Sequence, residues 1–487
     1  MDDDDADATS CLEALRDQRI SAQDLLAAYH GKVQSCTLVV ATTTIPPGAT
    51  PAAGGALCGL PVSLKDNIVC AGTPTGCGTV AGQQDQAGHH GALVERLVAA
   101  GAVPFVKSNV PQMLMLPETV NRVFGRTVHP THHDRTCGGS SGGEAVLVAL
   151  KLSPLGFGTD IGGSIRIPAA FCGIYGFKPC PGRLPLGTDD SGIRHEAIPT
   201  CSGPLARSAR DIALAMSALV PDWTPTTKPL RWGYWSSAAF FEPCATAVRA
   251  VEEAASSLLQ RGADIRKVEA PDLQAAARLY FGLLSAEGGM QAFRAGLGDE
   301  RPVSEYRQLL LLSRIPTCLR PALAWLLRCM GQHRPADLLL HTGRISVFRY
   351  LQLLQQRRTM QRQWRDWMQR QQLDVLLLPA TALPAFLHGG SSELTPACVY
   401  TFWANLVQCA AGVVPWTTVQ ANECRYTSQH DDRWTQAAAR TMAGAAGLPV
   451  GVQVMSVQDE QCVQAMAELR GWTPPGACSA PSAKTHA

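Results

Sequence analysis

The sequence predicts an α/β fold built on a mixed or parallel core sheet. Three stretches carry that expectation. L-P-V-S-L at 60–64 is a short apolar run, followed by helical periodicity over 91–101 and then by V-P-F-V ending at Lys107. The rhythm returns at 144–160, where a helical segment leads into L-G-F-G-T-D. It returns again where an Arg/Gln-rich amphipathic pattern over 343–372 leads into D-V-L-L-L-P, closed by Pro379. Strand, helix, strand in that order marks an α/β domain.

Taken in order, residues 1–10 begin with an Asp run and read as an acidic, solvated tail. Residues 11–34 hold two short helical patterns, with Ser21 as an N-cap and Asp24 three residues on. Residues 38–57, rich in Thr, Pro, Ala and Gly, read as a loop. The run at 60–64 is a buried strand that delivers Lys65, and Gly101 closes the next helix. The Gly/Ser segment 138–143 opens a helix over 144–151, before the strand at 155–160 and a second glycine-rich turn. The chain beyond Thr473 reads as a disordered tail. One catalytic domain over 11–472, flanked by tails at 1–10 and 473–487, is the expected organisation; the chain has no internal repeat.

Composition narrows the function. The chain has 487 residues, is 46% apolar and 17% charged, and carries a net charge of +2. That is ample for a large core, and it lacks the basic block of a nucleic-acid binder. Its 17 cysteines are scattered, with no C-x-x-C pair and no zinc-ligand spacing, as expected of reduced thiols in an intracellular protein. The N-terminus has no apolar run of a signal peptide. The uncharged stretches 33–64 and 395–422 are broken by Pro, Gly and amide side chains, so they read as loop and core rather than as spans.

The chemistry lies in two glycine-rich segments, C-G-G-S-S-G-G-E at 137–144 and G-T-D-I-G-G-S-I-R-I-P-A at 158–169. No phosphate-binding G-x-x-x-x-G-K-[ST] occurs, and the G-x-G that starts at Gly156 fails as a dinucleotide fingerprint at Ile161. Ser141 sits in G-x-S-x-G, but a loop precedes it, where a hydrolase elbow requires a strand. In the second segment Gly162 and Gly163 precede Ser164, which opens a helix with Pro168 in its first turns. Backbone N–H groups of Ile161, Gly162, Gly163 and Ser164, with the helix start, suit a developing oxyanion, and Ser164 is the best-placed nucleophile. The structural alternative is a glycine turn capped by a serine. A nucleophilic serine needs a base. His129, His132 and His133 lie in a polar loop and are expected to face solvent. Lys65 follows a buried strand, where desolvation favours a neutral amine, and Ser140 can relay its proton. Taken alone, Lys65 reads as an ordinary strand-end lysine; its combination with the serines carries the reading.

Together S-L-K-D-N, G-G-S-S-G-G-E and G-T-D-I-G-G-S-I-R-I-P-A resemble the amidase-signature hydrolases. The resemblance implies that family's fold, a large mixed twisted sheet surrounded by helices. It also implies a Ser–Ser–Lys triad: Ser164 acylated, Ser140 bridging on a cis peptide, Lys65 as terminal base. The spacings, 75 residues from Lys65 to Ser140 and 24 on to Ser164, fit. Ser141 and Arg166 are then expected to orient the network and Asp160 to support it. No metal or cofactor is called for.

The segments P-V-S-L-K-D-N, G-A-V-P-F-V-K-S-N-V-P-Q, A-A-F-C-G-I-Y-G-F-K-P, A-G-V-V-P-W-T-T-V and G-L-P-V-G-V-Q look like the vertebrate-type fatty-acid amide hydrolase branch, over about residues 12–470. That branch implies a lipid amide substrate. Residues 305–340 mix leucines and Trp325 with Arg307, Arg314, Arg320 and Arg328 around Pro316 and Pro321. They suit a helix pair lying in a membrane interface, or helices packed on the core or on a second copy in a homodimer; the resemblance favours the membrane. The branch's N-terminal transmembrane helix has no counterpart in this sequence, so membrane contact is expected to be peripheral, on the cytoplasmic face of endomembranes, or absent from a cytoplasmic protein. Where the branch has an aromatic at its acyl tunnel, this chain has Leu114 and Met115; Trp434 matches a tunnel tryptophan. A short-chain amidase, the glutamine-hydrolysing component of a tRNA-amidotransferase and a non-catalytic scaffold are the rival readings.

Overall fold

Eleven strands form one mixed sheet in a computed structural model that describes residues 7–45, 54–188, 197–288 and 290–472. In chain order these are β1 (Ala41–Thr44), β2 (Pro61–Lys65), β3 (Val103–Ser108), β6 (Leu155–Asp160), β7 (Tyr175–Lys178), β8 (Cys201–Ala206), β9 (Arg231–Tyr234), β10 (Asp264–Lys267), β11 (Val375–Pro379), β12 (Ala410–Thr418) and β13 (Pro449–Ser456). The remaining two, β4 (Val120–Asn121) and β5 (Gly125–Arg126), make a separate small ladder. The sheet order is β1-β3-β2-β6-β8-β7-β12-β13-β11-β9-β10. β2 runs parallel to both β3 and β6, whereas β6, β8, β7, β12 and β13 alternate direction.

Burial explains the strands. Every residue of β2, β6 and β11 is buried, as continuous apolar runs covered on both faces should be. Phe105, Phe157, Phe171, Phe177, Trp232 and Trp235 are fully enclosed beside them. Each such side chain contributes about 1.5–3 kcal/mol on leaving water. Helices pack on the sheet, including Ala245–Gln260 on β11 and β13 and Asp459–Leu469 on β12.

Most predicted elements fall in place, with shifted ends. The two N-terminal helices are Ala8–Arg16 and Ala22–Ser35, and Ser21 caps the second by accepting from Asp24 N–H. The helix expected over 91–101 is Ala92–Ala99, with Gly101 at φ +90° after it. The long helix expected over 343–372 is Val347–Arg370, because Ser346 caps it by accepting from Arg349 N–H.

Three expectations need correction. The acidic tail ends earlier than residue 10: Asp7 is buried, caps the first helix through Ser10 N–H and pairs with Arg210, while residues 1–6 lie outside the described residues. The loop expected at 38–57 contains β1, whose Thr-rich run pairs with β3 at the sheet edge; 46–53 lie outside the described residues. His129 is fully buried rather than facing solvent. Its Nε2 lies 2.8 Å from the Phe171 carbonyl oxygen, and Nδ1 accepts from the N–H groups of Thr131 and His132. Burial lowers its pKa to about 4, so it is a neutral structural histidine. The tail expected at 473–487 also lies outside the described residues.

Candidate active site

β2 and β6 lie side by side and parallel, and their carboxyl ends deliver the polar centre of the molecule. In open α/β sheets this is where ligands gather. Lys65 ends β2 without solvent exposure. Its Nζ lies 2.7 Å from Ser140 Oγ, 2.9 Å from Thr159 Oγ1 and 3.2 Å from the Thr159 carbonyl oxygen. Burial pushes the amine from 10.5 down to about 7, against the pull of Asp160, Cys77, Glu144 and Asp66. A lysine in that environment is about half neutral at pH 7 and largely neutral above it.

The serines come from the loop before the helix Gly142–Ala149 and from the turn after β6. Ser140 follows a cis peptide bond at Gly139, as the family resemblance implied. Ser141 precedes the helix; its N–H donates to the Ser164 carbonyl at 3.0 Å and its Oγ to the Thr159 carbonyl at 3.4 Å. Ser141 thus ties the two glycine-rich segments together. Ser164 is partly exposed, unlike its neighbours. Among the described residues no hydrogen bond joins the Ser140 and Ser164 hydroxyls; Ser164 is tied to the cluster through its backbone.

Arg166 and Asp160 hold the turn from beneath. Both are wholly buried, and the guanidinium meets the carboxylate in two bonds of 2.9 and 3.0 Å. Burial alone would raise the Asp160 carboxyl; the charge and hydrogen bonds of Arg166, with Lys178 and Asn405, together outweigh it and hold the carboxyl well below the usual range. Asp160 then accepts from Gly163 N–H at 2.8 Å and Ile165 N–H at 3.2 Å. This corrects the expected oxyanion set: the Gly163 N–H is turned to Asp160. Those of Ile161, Gly162 and Ser164 form no hydrogen bond among the described residues. Gly163 has φ +113°, and a Cβ on it would sit 2.2 Å from Thr401 Oγ1. A Cβ on Gly162 would sit 1.9 Å from Tyr280 Oη. Close approach therefore requires both glycines, and at Gly163 the backbone conformation requires one as well.

Sequence reasoning missed several partners. Thr159 holds Lys65, and Asn67 reaches Thr159 Oγ1 at 3.3 Å. Asn405, Gln453 and the Thr401 carbonyl complete the cage of Arg166. Thr159 and Asn67 stand inside two of the three motifs quoted for the resemblance, but neither residue type drew notice there; Asn405 and Gln453 lie far along the chain and gave no signal either. Leu114 is half-buried and Met115 exposed, on a segment that closes against the Ser140 loop: a Cβ on Gly139 would sit 2.5 Å from the Leu116 carbonyl. Trp434 is buried against Phe240, with the Arg334 guanidinium 5.6 Å from its ring centre. Among the described residues no group of His, Cys, Asp or Glu side chains is arranged to hold a metal ion.

A mixed sheet with a serine-and-glycine loop system at its strand ends is the framework of an amide-hydrolysing enzyme. The chain belongs to the amidase family, whose model matches residues 47–463. It is similar to fatty-acid amide hydrolase 1 of Sus scrofa, with 34% identity over 455 residues, covering 87% of this chain and 77% of that one. Fatty acid amide hydrolase 1 of Caenorhabditis elegans is 29% identical over 442 residues, 85% of this chain and 76% of that one. A glutamyl-tRNA(Gln) amidotransferase chain of Deinococcus radiodurans is 29% identical over 440 residues, 84% of each chain. A solved structure titled fatty acid amide hydrolase shares the fold with a TM-score of 0.77 at 23% identity, over 96% of this chain and 85% of that one.

Proposed function

We propose that this chain hydrolyses linear carboxylic amides, with fatty-acid amides as the preferred class, through Ser164, Ser140 and Lys65. The carrying observation is the enclosed Lys65 amine, near neutrality and 2.7 Å from Ser140 Oγ. A neutral amine has two N–H donors and one lone pair. The two donors serve Thr159, and the lone pair accepts the Ser140 proton. Ser164 Oγ attacks the substrate carbonyl carbon as its proton moves to Ser140 Oγ and the Ser140 proton moves to Lys65. The free N–H groups of the glycine turn receive the oxyanion. On collapse the C–N bond breaks; Ser140 protonates the leaving nitrogen and recovers a proton from Lys65. Water then attacks the acyl-serine by the same proton route, releasing the acid and restoring Ser164. The Ser140–Ser164 contact closes as substrate binds, in keeping with catalytic hydrogen bonds that tighten only in the complex.

The lipid part of the reading rests on the pig relative and on the surface. Leu309, Leu311, Leu319, Trp325, Leu326 and Met330 are exposed on or at the ends of the helical segments Ser304–Ser313 and Thr317–Cys329, which meet at 85°. No single helix among the described residues is long and apolar enough to cross a membrane. We read this face as a peripheral lipid contact. Arg320, expected among its basic residues, is instead buried and donates to the Leu339 and Thr342 carbonyls.

Turnover of a series of primary amides from acetamide to long acyl chains tests the substrate class. Rates should climb to long chains. A peak at acetamide would replace the lipid reading with a short-chain amidase, and a requirement for a tRNA complex with glutamine would replace it with the amidotransferase reading. Separately, Ser164→Ala should abolish fluorophosphonate labelling; labelling that persists on Ser141 would move the nucleophile.

A further inference from the structure

The proposed mechanism leaves one buried acid unused. Glu144 stands in the first turn of the helix Gly142–Ala149, just past the serine pair, and has no solvent exposure. Its Oε2 accepts from Ser63 Oγ at 2.6 Å. Among the described residues neither its Oε1 nor the buried Ser108 hydroxyl meets hydrogen-bond geometry with any partner, although the Ser108 hydroxyl stands near enough to favour the carboxylate. Ser63 precedes Lys65 by two on β2, so the two side chains leave the same face of the strand. Gly156 pairs with Ser63 across β2 and β6, and a Cβ there would lie 2.2 Å from Glu144 Oε2. The sheet therefore gives up a side chain to seat this carboxyl on Ser63.

A buried carboxylate needs several donors or a direct cation to stay ionised. Glu144 has one hydroxyl bond. Burial lifts its carboxyl from 4.5 to about 7, against the opposing pull of Ser63, the nearby Ser108 hydroxyl and Lys65. The other charged groups that face Lys65 are accounted for differently. Asp160 is paired with Arg166; burial raises the Asp66 carboxyl against the pull of Lys107 and the Thr42 hydroxyl, and Asp66 lies on the strand end beyond Lys65. Cys77 is a thiol. Glu144 differs from these in being seated on Ser63, two residues before Lys65 on the same strand face, so a change in its charge is felt at the base.

We propose that Glu144 is a positioning residue whose carboxyl, seated on Ser63, shares a proton with Lys65 and so sets when that amine is free. This rests on the reading of Lys65 as the base. Groups that act on each other's charge titrate together, as Glu144 and Lys65 do here. An ionised Glu144 retains the proton on Lys65 as ammonium and blocks the relay. A protonated Glu144 leaves the amine free to accept from Ser140.

The test is the rate of fluorophosphonate labelling of the full chain between pH 5 and 9. Glu144→Gln fixes the neutral form. Its acid limb should move down by about 0.5–1 unit, a rise of about three- to tenfold in labelling rate at pH 6. Ser63→Ala removes the hydroxyl that favours the carboxylate and should move the limb in the same direction by less. A folded Glu144→Gln protein with the wild-type limb, or with a limb moved upward, overturns the inference. If Glu144→Gln does not fold, an unmoved limb in Ser63→Ala overturns it instead. Lys65→Met separates the two ideas. Loss of its labelling together with unmoved limbs in the other variants sinks the Glu144 role alone; labelling of Lys65→Met at the wild-type rate sinks the base reading and this inference with it.

Discussion

Lys65 makes two pH predictions that oppose simple intuition about lysine. Its folded pKa is about 7 against 10.5 when unperturbed. As the base it must be neutral, so kcat/KM for an amide should rise with pH through about 7, falling about tenfold per unit below that. A flat profile from pH 5 to 8 would contradict this. For stability, between about pH 7 and 10.5 the unfolded chain holds a proton that the folded chain lacks. Stability therefore gains a term that grows as pH rises across that window, and Lys65→Met should remove it. Thermal midpoints of both proteins from pH 7 to 10 check the sign. Arg166→Ala is the harsher change. It leaves the Asp160 carboxylate buried without its cation, at a cost of about 3–5 kcal/mol, measurable by urea unfolding. Ser140 and Ser164 drew notice in the sequence because glycines flank them, and Lys65 only in combination with them. Thr159 was not: a threonine in a strand is the ordinary case, and only the neighbouring strand reveals that a lysine lies across it.

At the scale of elements, the turn between β6 and the helix Arg166–Cys172 is the part least tolerant of change. Gly162→Ala places a methyl group 1.9 Å from Tyr280 Oη, so the turn or the tyrosine must move. Tyr280 is held by stacking on Phe402 at 4.3 Å, which makes the turn the part that yields. A displacement of about 1 Å at a catalytic group costs on the order of 100-fold, so kcat should fall by about that amount while the far-UV circular dichroism is retained. Restored turnover on adding Tyr280→Ala would identify the clash as the cause. Helix ends were legible to within a few residues, because Ser21 and Ser346 cap as their chemistry demands. The edge strand β1 was not. Its A-T-T-T run stands before Pro46 and Pro47, and only pairing with β3, some sixty residues on, makes it a strand.

The whole molecule divides into a dry sheet that assembles the site and an apolar outer face that the sheet does not use. His129 illustrates the first part: its polar loop looked solvated, yet the chain brings Phe171 over it, a contact no local pattern could announce. The second part carries a prediction. Trp325 is 67% exposed, Leu319 57% and Met330 65%, on a helical segment that packs on the helix His333–His341 through the small cluster of Ala324, Ala336 and Leu339. A residue exposed to that degree contributes little to folding, so replacing it should spare the fold. It contributes about 1.5–3 kcal/mol if it enters an acyl layer. Trp325→Glu with Leu326→Glu should therefore weaken co-sedimentation with phosphatidylcholine vesicles by more than about tenfold, without lowering the thermal midpoint. Hydrolysis of a short, freely soluble amide should stay at the wild-type rate, because neither side chain belongs to the Lys65 cluster. Turnover of a long-chain amide presented in vesicles should fall with the binding. If vesicle binding is unchanged while the double variant loses a dimer or becomes unstable, the face is an ordinary protein contact and the lipid-surface reading fails.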